Sequence, residues 1–477
     1  MTPPGSGGPT RSGGATGSGQ AAGSGEAAGS GEAAGARFAR AEAGLAERLP
    51  QRMLPDLTRI RDLVDVLGSP QRAYPSIHVT GTNGKTSTTR MIDALLRAFG
   101  LRTGRTTSPH LASVRERICL DGVPLSPGAF AQVYEEVRPF AELIDARHPD
   151  RVTYHEILTA MAFAAFADAP VDVAVVEVGM GGAWDATNVI DASVAVVTPI
   201  ALDHTQWLGD TVEEIAAEKA GIVKPGAALV IAQQSVEAAR VLLERAVETD
   251  VAVAREGMEF GVLSRRVAVG GQLLTLRGLG GDYPEVFLPL HGAHQAGNAA
   301  CALAAVEAFF GAAAAGRGTL DLEPVRLAFA QADSPGRLEV VRTSPTVLLD
   351  SAHNPAGAAA LVAAVGEAFA LTKLVGVVGM LADKDVRGFL DALEPLLASV
   401  VVTQSSSPRA MPAAELGELA EQAFGADRVE VVSRLDDAID RATELAEQEA
   451  LGGAGVLVTG SVVTVGEART LLRGGAP

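Results

Sequence analysis

The sequence predicts an α/β protein with two units, each built on a mostly parallel sheet, and a small antiparallel addition to the first unit. Three observations support this fold class. Short buried apolar runs alternate with helical stretches, as they do where helices connect parallel strands. A glycine-rich loop separates the first strand-like run from a helix. A second alternating series begins at Thr346, after a turn-rich segment near Ser334.

Composition excludes several classes of protein. The chain has 477 residues, enough for two or three domains, and a net charge of −18, which disfavours a nonspecific grip on nucleic acid. Cys119 and Cys301 lack the spacing of a zinc site or a disulfide framework, which fits a reducing compartment. The most apolar run, 157–167, is far shorter than the roughly 20 residues that span a bilayer, and we find no signal peptide. We therefore expect a cytoplasmic protein with neither nucleic-acid nor membrane partners.

The domain organisation follows from local composition. Residues 1–36 are almost all Gly, Ser, Ala, Pro and Thr, so we predict a disordered tail. The first domain is predicted over 37–333 and the second over 334–477. Apolar spacing predicts helices over 57–68, 155–167 and 211–220, the last opened by a capping box of Thr211 and Glu214.

Towards the end of the first domain, over 251–290, the apolar residues recur with a period close to two. This pattern indicates the small antiparallel addition. The predicted strands of the second domain are separated by helical stretches. The predicted strands are 77–80, 171–178, 193–200, 228–232, 273–276 and 286–288 in the first domain, and 347–350, 373–380, 399–403, 429–432 and 455–459 in the second.

The strongest local signal is the loop Gly81-Thr82-Asn83-Gly84-Lys85-Thr86. Its glycines let backbone N–H groups surround a phosphate, the next helix offers its positive N-terminus, and Lys85 supplies a cation. Val79 stands where the strict P-loop pattern has its first glycine, and the alternative is a tight turn that carries a lysine. We predict nucleotide binding. GTP is disfavoured, because the run around Lys384, Ala-Asp-Lys-Asp, lacks the Asn or Thr of a guanine-reading motif.

Polar residues at other strand ends extend this candidate site. Glu177 lies in a buried strand and His204 follows the next one, so both converge with Lys85 at the carboxyl ends of the strands. Glu177 is either a metal ligand or half of a structural ion pair. His204 is either a ligand or a turn histidine.

Four further motifs are weak in isolation. They are the turn around Ser108, the helix-terminal Lys219, the helix start at Asn298 and the strand end from Asp350 to His353.

The motifs occur together in one order, which is informative where each alone is not. The series closely resembles the folylpolyglutamate synthase/dihydrofolate synthase family, within the superfamily of Mur-type ATP-dependent amide ligases, from about Leu54 to the C-terminus. The motifs are Val79-Thr-Gly-Thr-Asn-Gly-Lys-Thr86, Thr107-Ser-Pro-His-Leu111, Glu177-Val-Gly-Met-Gly-Gly-Ala-Trp-Asp-Ala-Thr-Asn188, Leu202-Asp-His204, Glu218-Lys-Ala-Gly-Ile222, Ser334-Pro-Gly-Arg337, Asp350-Ser-Ala-His-Asn-Pro355 and Leu457-Val-Thr-Gly-Ser461.

The resemblance implies a P-loop ATPase domain and a Rossmann-like C-terminal domain, with ATP and substrates in the cleft between them. It implies that the six residues of the loop 81–86 hold ATP together with Asn298, Arg337 and Asp350. Magnesium would be held by Ser108, Glu177 and His204, and Lys219 would be carbamylated. The implied catalytic residues are Lys85, Glu177, His204, Lys219 and His353, and the implied substrate residues are Leu57, Thr58, Arg59, Tyr154, His155 and Asp185.

Three residues differ from the pattern of the family. Thr86 stands where many members have glycine, Ala183 where an arginine is common, and His155 where an aromatic ring often stacks on the pterin.

The implied function is a ligase that uses ATP and Mg²⁺ to join L-glutamate to 7,8-dihydropteroate and then adds γ-linked glutamates to folates. A monomer is expected. The alternative is a Mur-type cell-wall amino-acid ligase, but only about forty residues lie between the predicted tail and the P-loop, too few for its extra substrate domain. A regulatory nucleotide-binding protein without turnover is disfavoured, because both Lys85 and Glu177 are present.

Overall fold

The computed structural model describes residues 23–49, 54–311, 318–448 and 453–474, with side chains from residue 32 onward. The helices are α1 (Gly23–Ala46), α2 (Thr58–Val66), α3 (Lys85–Ala98), α4 (Pro127–Asp145), α5 (Tyr154–Asp168), α6 (Thr205–Leu208), α7 (Val212–Ala220), α8 (Val236–Thr249), α9 (Ala293–Phe309), α10 (Leu322–Ala330), α11 (Pro355–Ala368), α12 (Val386–Leu393), α13 (Ala413–Phe424), α14 (Leu435–Glu447) and α15 (Val462–Leu472). The strands are β1 (Ser76–Thr80), β2 (Thr103–Thr106), β3 (Cys119–Leu120), β4 (Val123–Pro124), β5 (Val173–Glu177), β6 (Val194–Val197), β7 (Ala228–Ile231), β8 (Ala252–Arg255), β9 (Gly261–Ala268), β10 (Gly271–Arg277), β11 (Asp282–Leu288), β12 (Glu339–Thr343), β13 (Thr346–Leu349), β14 (Lys373–Val378), β15 (Ser399–Val402), β16 (Val429–Val431) and β17 (Ala454–Thr459).

An eight-stranded sheet forms the first unit, in the order β4-β3-β2-β5-β1-β6-β7-β8. All of its strand pairs are parallel except those that β3 makes with β2 and β4 at one edge. Its central strands β1, β5 and β6 are buried throughout, because helices cover both faces. β1 lies between β5 and β6, so the loop after Thr80 emerges beside the carboxyl ends of both neighbours.

The antiparallel addition is a separate three-stranded sheet, β11-β10-β9, that packs on α9 and shares a core with it. The predicted short strands are confirmed as parts of β10 and β11. One boundary was wrong: β8 lies in the stretch assigned to the addition but pairs in parallel with β7. β8 is a sheet edge with partly exposed residues, so its sequence lacks the apolar run of a central strand.

A six-stranded sheet forms the second unit, in the order β12-β13-β17-β14-β15-β16. Its five predicted strands are confirmed, and all five form a parallel series in the order β13-β17-β14-β15-β16. The antiparallel β12 was not predicted. The α/β fold class with one antiparallel addition is therefore confirmed. The predicted domain boundary at 333/334 falls in the loop between α10 and β12 and stays a prediction.

The strand β2 escaped prediction because it is polar. Its sequence, Thr-Gly-Arg-Thr, is nevertheless fully buried. Thr103 Oγ1 and Arg105 Nη1 each donate to the buried carboxylate of Asp93 on α3, at 2.6 and 2.9 Å. A buried ion pair with supporting hydrogen bonds thus replaces apolar packing, and no periodicity marks it in the sequence.

The predicted disordered tail is wrong over its second part. Helix α1 begins at Gly23, whereas residues 1–22 lie outside the described part of the chain. The helix is fastened to α4 by an ion pair from Arg37 to Glu135 and an edge-to-face contact of Phe38 with Phe130, whose ring centroids are 5.4 Å apart. The repeats contain the strong helix formers Ala and Glu but also several glycines, so the helix depends on the anchoring from residue 37 onward.

Among the residues described, no helix is long and apolar enough to cross a membrane. Both cysteines are buried and free.

We expect Leu45→Ala to lower the free energy of unfolding by about 2–4 kcal/mol, because its side chain at the end of α1 is 1 % exposed and its removal leaves a cavity in the core with α4 and α5. Leu49→Ala is the matched control, since that leucine is 59 % exposed and its loss changes little. Denaturant unfolding followed by circular dichroism measures both. Equal stability of the two variants would show that α1 does not belong to the folded core.

Candidate functional site

The loop between β1 and α3 has a shape that only glycine permits at two positions. Gly81 has a φ of 146°, and a β-carbon there would lie 1.9 Å from Thr198 Oγ1. Gly84 has a φ of 89°, and its β-carbon would lie 2.4 Å from Asn298 Oδ1. Asn298 therefore packs directly against the loop, as expected if both contact the same nucleotide.

The backbone of this loop is only partly free to bind a phosphate. The N–H groups of Thr82 and Asn83 both donate to Pro199 O, at 3.0 and 3.3 Å, so these two do not face a ligand. The first turn of α3 supplies the remaining donors, because its N–H groups have no helical acceptor. The anion site predicted at this loop thus consists mainly of the helix N-terminus and the lysine that starts it.

Lys85 lies folded over its own loop. Its Nζ donates to Gly81 O at 3.0 Å and to Thr82 O at 3.1 Å. Burial lowers the pKa of Lys85, while the carboxylates of Glu177 and Asp203 act in the opposite direction. The ammonium group is therefore held close to two carboxylates at the mouth of the loop.

Glu177 ends β5 with only 2 % of its surface exposed. Thr86 Oγ1 donates to its Oε1 at 2.8 Å, and Ser108 N donates to its Oε2 at 3.3 Å. Burial raises the pKa of Glu177, against the attraction of Lys85. No cationic side chain in the described chain makes an ion pair with it, which argues against a purely structural ion pair.

The oxygen atoms around Glu177 suit a hard divalent cation. The Glu177 carboxylate and the Thr86 hydroxyl that contacts it are donor types that Mg²⁺ prefers, particularly when phosphates complete the shell. The neighbouring Ser108, which contacts Glu177 through its backbone N–H, carries a further hydroxyl. Across the described ranges, no three His, Cys, Asp or Glu side chains form a ready metal cluster. The donor set therefore fits magnesium bound jointly with a nucleotide.

His204 lies at the start of α6 and contacts the second unit. Lys384 Nζ lies 3.1 Å from His204 Nε2 and 2.5 Å from Asp203 Oδ1. Burial, together with the charge of Lys384, lowers the pKa of His204 to about 4, so its ring is neutral at pH 7. The structure thus gives this nitrogen a lysine as its neighbour, and its predicted role as a metal ligand stays a prediction.

Asp203 joins the two units. Besides Lys384, it accepts a hydrogen bond from Asn354 Nδ2 at 3.2 Å and lies 3.4 Å from His353 Nε2. Asn354 in turn exchanges side-chain hydrogen bonds with Asn83 of the loop, at 3.1 and 3.3 Å. These contacts place His353 beside Asp203 and Asn354, which contacts the P-loop; the catalytic role of His353 stays a prediction.

Lys219 lies beneath the loop, 3 % exposed, although it ends a helix. Its Nζ donates to Gly81 O at 2.8 Å, the same oxygen that Lys85 contacts. Burial and the charge of Lys85 lower the pKa of Lys219 to about 7. An ordinary helix-terminal lysine would extend into solvent, so this position is unusual.

The remaining predicted nucleotide residues, Arg337 and Asp350, lie beside β12 and β13 of the second unit. Asp350 accepts hydrogen bonds from Leu338 N at 2.8 Å and Ala352 N at 2.9 Å, and thereby holds the turn that carries Arg337. Burial raises the pKa of Asp350, and the charge of Arg337 opposes this effect. Arg337 itself donates to Gly336 O at 3.3 Å.

The predicted substrate residues divide into two groups. Asp185 is buried and pairs with the half-buried His155, whose Nε2 lies 3.2 Å from Asp185 Oδ2. Burial would raise the pKa of Asp185, but the charge of His155 and hydrogen bonds to the carboxylate lower it. Arg59 instead pairs with Glu156 at 3.0 Å within the packing of α2 on α5, and Leu57 is buried beside it. Thr58 bonds to Asp56 at 2.7 Å. The structure does not bring these last three residues to the P-loop.

Several site residues escaped sequence reasoning. Asp203 stands in the motif Leu202-Asp-His204, in which only the histidine has a predicted role. Lys384 lies in the run Ala-Asp-Lys-Asp, which does not match a guanine-reading motif. Asp203 follows β6 beside the loop, whereas Lys384 reaches it only because the second unit packs on the first. Arg117 was also missed: its Nη1 donates to Ser108 Oγ at 3.1 Å, and its guanidinium lies 5.3 Å from the centre of the Tyr154 ring.

Comparison with known proteins agrees with this geometry. Residues 79–306 match the Mur ligase middle domain, and residues 336–462 match the Mur ligase glutamate ligase domain. The dihydrofolate synthase/folylpolyglutamate synthase of Mycobacterium tuberculosis is 53 % identical over 459 residues, covering 91 % of this chain and 94 % of that protein. The protein of the same name from Bacillus subtilis is 32 % identical, covering 91 % and 98 %.

Solved structures of folylpolyglutamate synthases are also similar to this chain. Mycobacterium tuberculosis folylpolyglutamate synthase complexed with ADP superposes with a TM-score of 0.89 at 53 % identity, covering 93 % of this chain and 99 % of that one. The complex of folylpolyglutamate synthase with AMPPCP and folate has a TM-score of 0.78 at 30 % identity, covering 92 % and 100 %. The chain therefore belongs to the dihydrofolate synthase/folylpolyglutamate synthase family of ATP-dependent ligases, within the Mur ligase superfamily.

Proposed function

We propose that the chain joins L-glutamate to 7,8-dihydropteroate and adds further γ-linked glutamates to folates, using ATP. The observation that carries this proposal is that Lys85 and Lys219 meet at Gly81 O while Glu177 contacts Thr86 of the same loop, so a phosphoryl group there would meet cations and a buried carboxylate. Relatives named for both activities, and solved relatives bound to ADP or to AMPPCP with folate, support the substrates.

The reaction needs no protein nucleophile. A carboxylate oxygen of the pterin substrate attacks the γ-phosphorus, the bond to the bridging oxygen breaks, and ADP leaves. The glutamate amine then attacks the acyl carbon, the carbon–oxygen bond to phosphate breaks, and one proton is lost as the amide forms. Lys85 neutralises charge on the transferred phosphoryl oxygens, and the first turn of α3 orients them.

Glu177, Ser108 and Thr86 are the residues that would hold magnesium, with His204 as the further candidate implied by the resemblance. When bound, the ion supplies Lewis-acid stabilisation of phosphate charge. Glu177 is suited to this role since its buried carboxylate has only two hydrogen bonds to protein. Because Thr86 offers a hydroxyl where glycine is common in the family, this loop has an additional oxygen donor.

Lys219 is proposed to be a carbamate in the active enzyme. A neutral amine attacks the carbon of dissolved CO₂, and loss of one proton leaves an anionic carbamate. With a pKa of about 7, roughly half of the Lys219 side chains are neutral at pH 7, whereas an ordinary lysine is almost fully charged. A carbamate beside Lys85 would exchange repulsion between two cations for attraction.

The substrate assignment is tested by measuring ADP release. Dihydropteroate with glutamate, and a folate with glutamate, should both support release, whereas a UDP-linked muramoyl peptide with its amino acid should not. Turnover of the nucleotide-sugar substrate alone would establish the Mur-type cell-wall alternative. ATP binding without turnover on any substrate would indicate the regulatory alternative. The expected monomer and the cytoplasmic location stay predictions.

Lys85→Ala should reduce ligation by at least about 100-fold without loss of the fold, because this lysine stabilises transferred phosphoryl charge. Coupled ADP detection measures the rate, and thermal unfolding checks the fold. Lys373→Ala is the matched control, since that lysine lies on β14 and donates only to Gln448 O. Near-normal ADP formation by Lys85→Ala would remove the P-loop assignment.

Lys219→Ala should lose roughly 10- to 100-fold or more in activity, with partial rescue by acetate, which can place a carboxylate in the vacated space. In wild type stripped of CO₂, the rate of reactivation at fixed dissolved CO₂ should rise about tenfold per pH unit below 7 and level off above, since only the neutral amine reacts. Labelling with ¹³CO₂ should give a carbamate carbon signal that Lys219→Ala lacks. Full activity of the variant in CO₂-free buffer would make the lysine structural.

A further inference from the structure

Within the described part of the chain, Arg117 lacks the carboxylate partner that three buried arginines have. Arg48, Arg59 and Arg105 are buried, and each forms an ion pair with a carboxylate, at 3.1, 3.0 and 2.9 Å. This is the usual arrangement, because a cation removed from water is costly without a counter-charge. Arg117 is half-buried, and among the described residues no ion pair joins it to an Asp or Glu, although the charges of Glu177 and Glu116 act on it.

The groups that do contact Arg117 are neutral. Its Nε donates to His110 Nδ1 at 2.9 Å, its Nη1 donates to Ser108 Oγ at 3.1 Å, and its guanidinium stacks near the Tyr154 ring. These contacts use two of its five N–H groups. The adjacent Glu116 is committed elsewhere, since its carboxylate accepts hydrogen bonds from three backbone N–H groups at 2.8 to 2.9 Å.

The position of Arg117 identifies which anion would pair with it. Glu177 receives Thr86 of the P-loop on one carboxylate oxygen and Ser108 N on the other, so Glu177 links the P-loop to Ser108. Arg117 lies beyond Ser108 and reaches Tyr154 at the start of α5. The next residue of that helix, His155, pairs with Asp185 in the proposed pterin region. Arg117 thus connects the phosphate side of the site to the substrate side.

We propose that Arg117 binds the carboxylate of the pterin substrate that becomes phosphorylated: the benzoate carboxylate of dihydropteroate, and the γ-carboxylate of a folate. This inference rests on the proposed function, which requires that carboxylate to approach the γ-phosphate from the substrate side. A planar guanidinium with unused N–H groups suits a carboxylate, which it can contact with two parallel hydrogen bonds. Lys85 and the first turn of α3 already serve the nucleotide phosphates, so Arg117 is not needed there.

The test compares Arg117→Met and Arg117→Lys with wild type. We expect the KM for dihydropteroate to rise about 10- to 100-fold in Arg117→Met and less in Arg117→Lys, since lysine keeps the charge but loses the fork geometry. The KM values for ATP and glutamate should stay within about twofold. Arg115→Met is the matched control, because Arg115 lies with Arg117 on the short helical turn Val114–Arg117 but donates to Leu125 O and stacks on Phe38.

A ligand carrying no charge separates a carboxylate contact from a general structural effect. The carboxamide analogue of dihydropteroate has no negative charge at the position of the carboxylate. Calorimetry without ATP measures the affinity of the enzyme for this analogue and for dihydropteroate, since neither can then be phosphorylated. Wild type should prefer the carboxylate by at least about tenfold, and Arg117→Met should bind both ligands equally. If Arg117→Met does not fold, Arg117→Lys must show a reduced preference.

Each outcome has one interpretation. An unchanged carboxylate preference in the folded variant, or an increase confined to the KM for ATP, overturns the role of Arg117. Failure of wild type to release ADP with dihydropteroate and glutamate overturns the proposed function instead.

Discussion

The carbonyl oxygen of Gly81 accepts hydrogen bonds from the half-buried Lys85 and the buried Lys219, and the arrangement of the site depends on this shared contact. Two ammonium groups at one oxygen repel each other, which is one reason that the pKa of Lys219 falls to about 7. The loop can present this carbonyl only because glycine occupies position 81, where any side chain would meet Thr198. A backbone requirement thereby determines the electrostatics of two side chains.

Buried carboxylates balance these cations. Glu177 and Asp203 attract Lys85 from opposite directions along the sheet edge, and each has polar partners that hold its orientation. Burial favours neutral forms, whereas the nearby charges favour ionised ones. A nucleotide phosphate and its cation would enter this set as matched charges, so the site is prepared for them without large rearrangement.

Contacts between the units complete the site. Asp203 and Asn83 of the first unit meet Lys384, His353 and Asn354 of the second, all at strand ends. In an α/β sheet the carboxyl ends of strands gather ligands, and here two such edges face each other. Groups that act on the phosphate and groups delivered by the second unit are therefore adjacent only in the packed molecule.

The sequence by itself determined the alternating strands and helices, the glycine loop with Lys85, and the positions of Glu177, His204 and Asp350 at strand ends, because periodicity and loop composition are local properties. It did not reveal the polar strand β2, which is stabilised by Asp93, or the extent of α1, which is stabilised by its packing on α4. Only the tertiary structure decided that Lys219 lies under the loop, that Lys384 reaches Asp203, and that Arg117 has no carboxylate partner among the residues described. Burial and charge pairing join residues distant in sequence, and no local pattern encodes those distances.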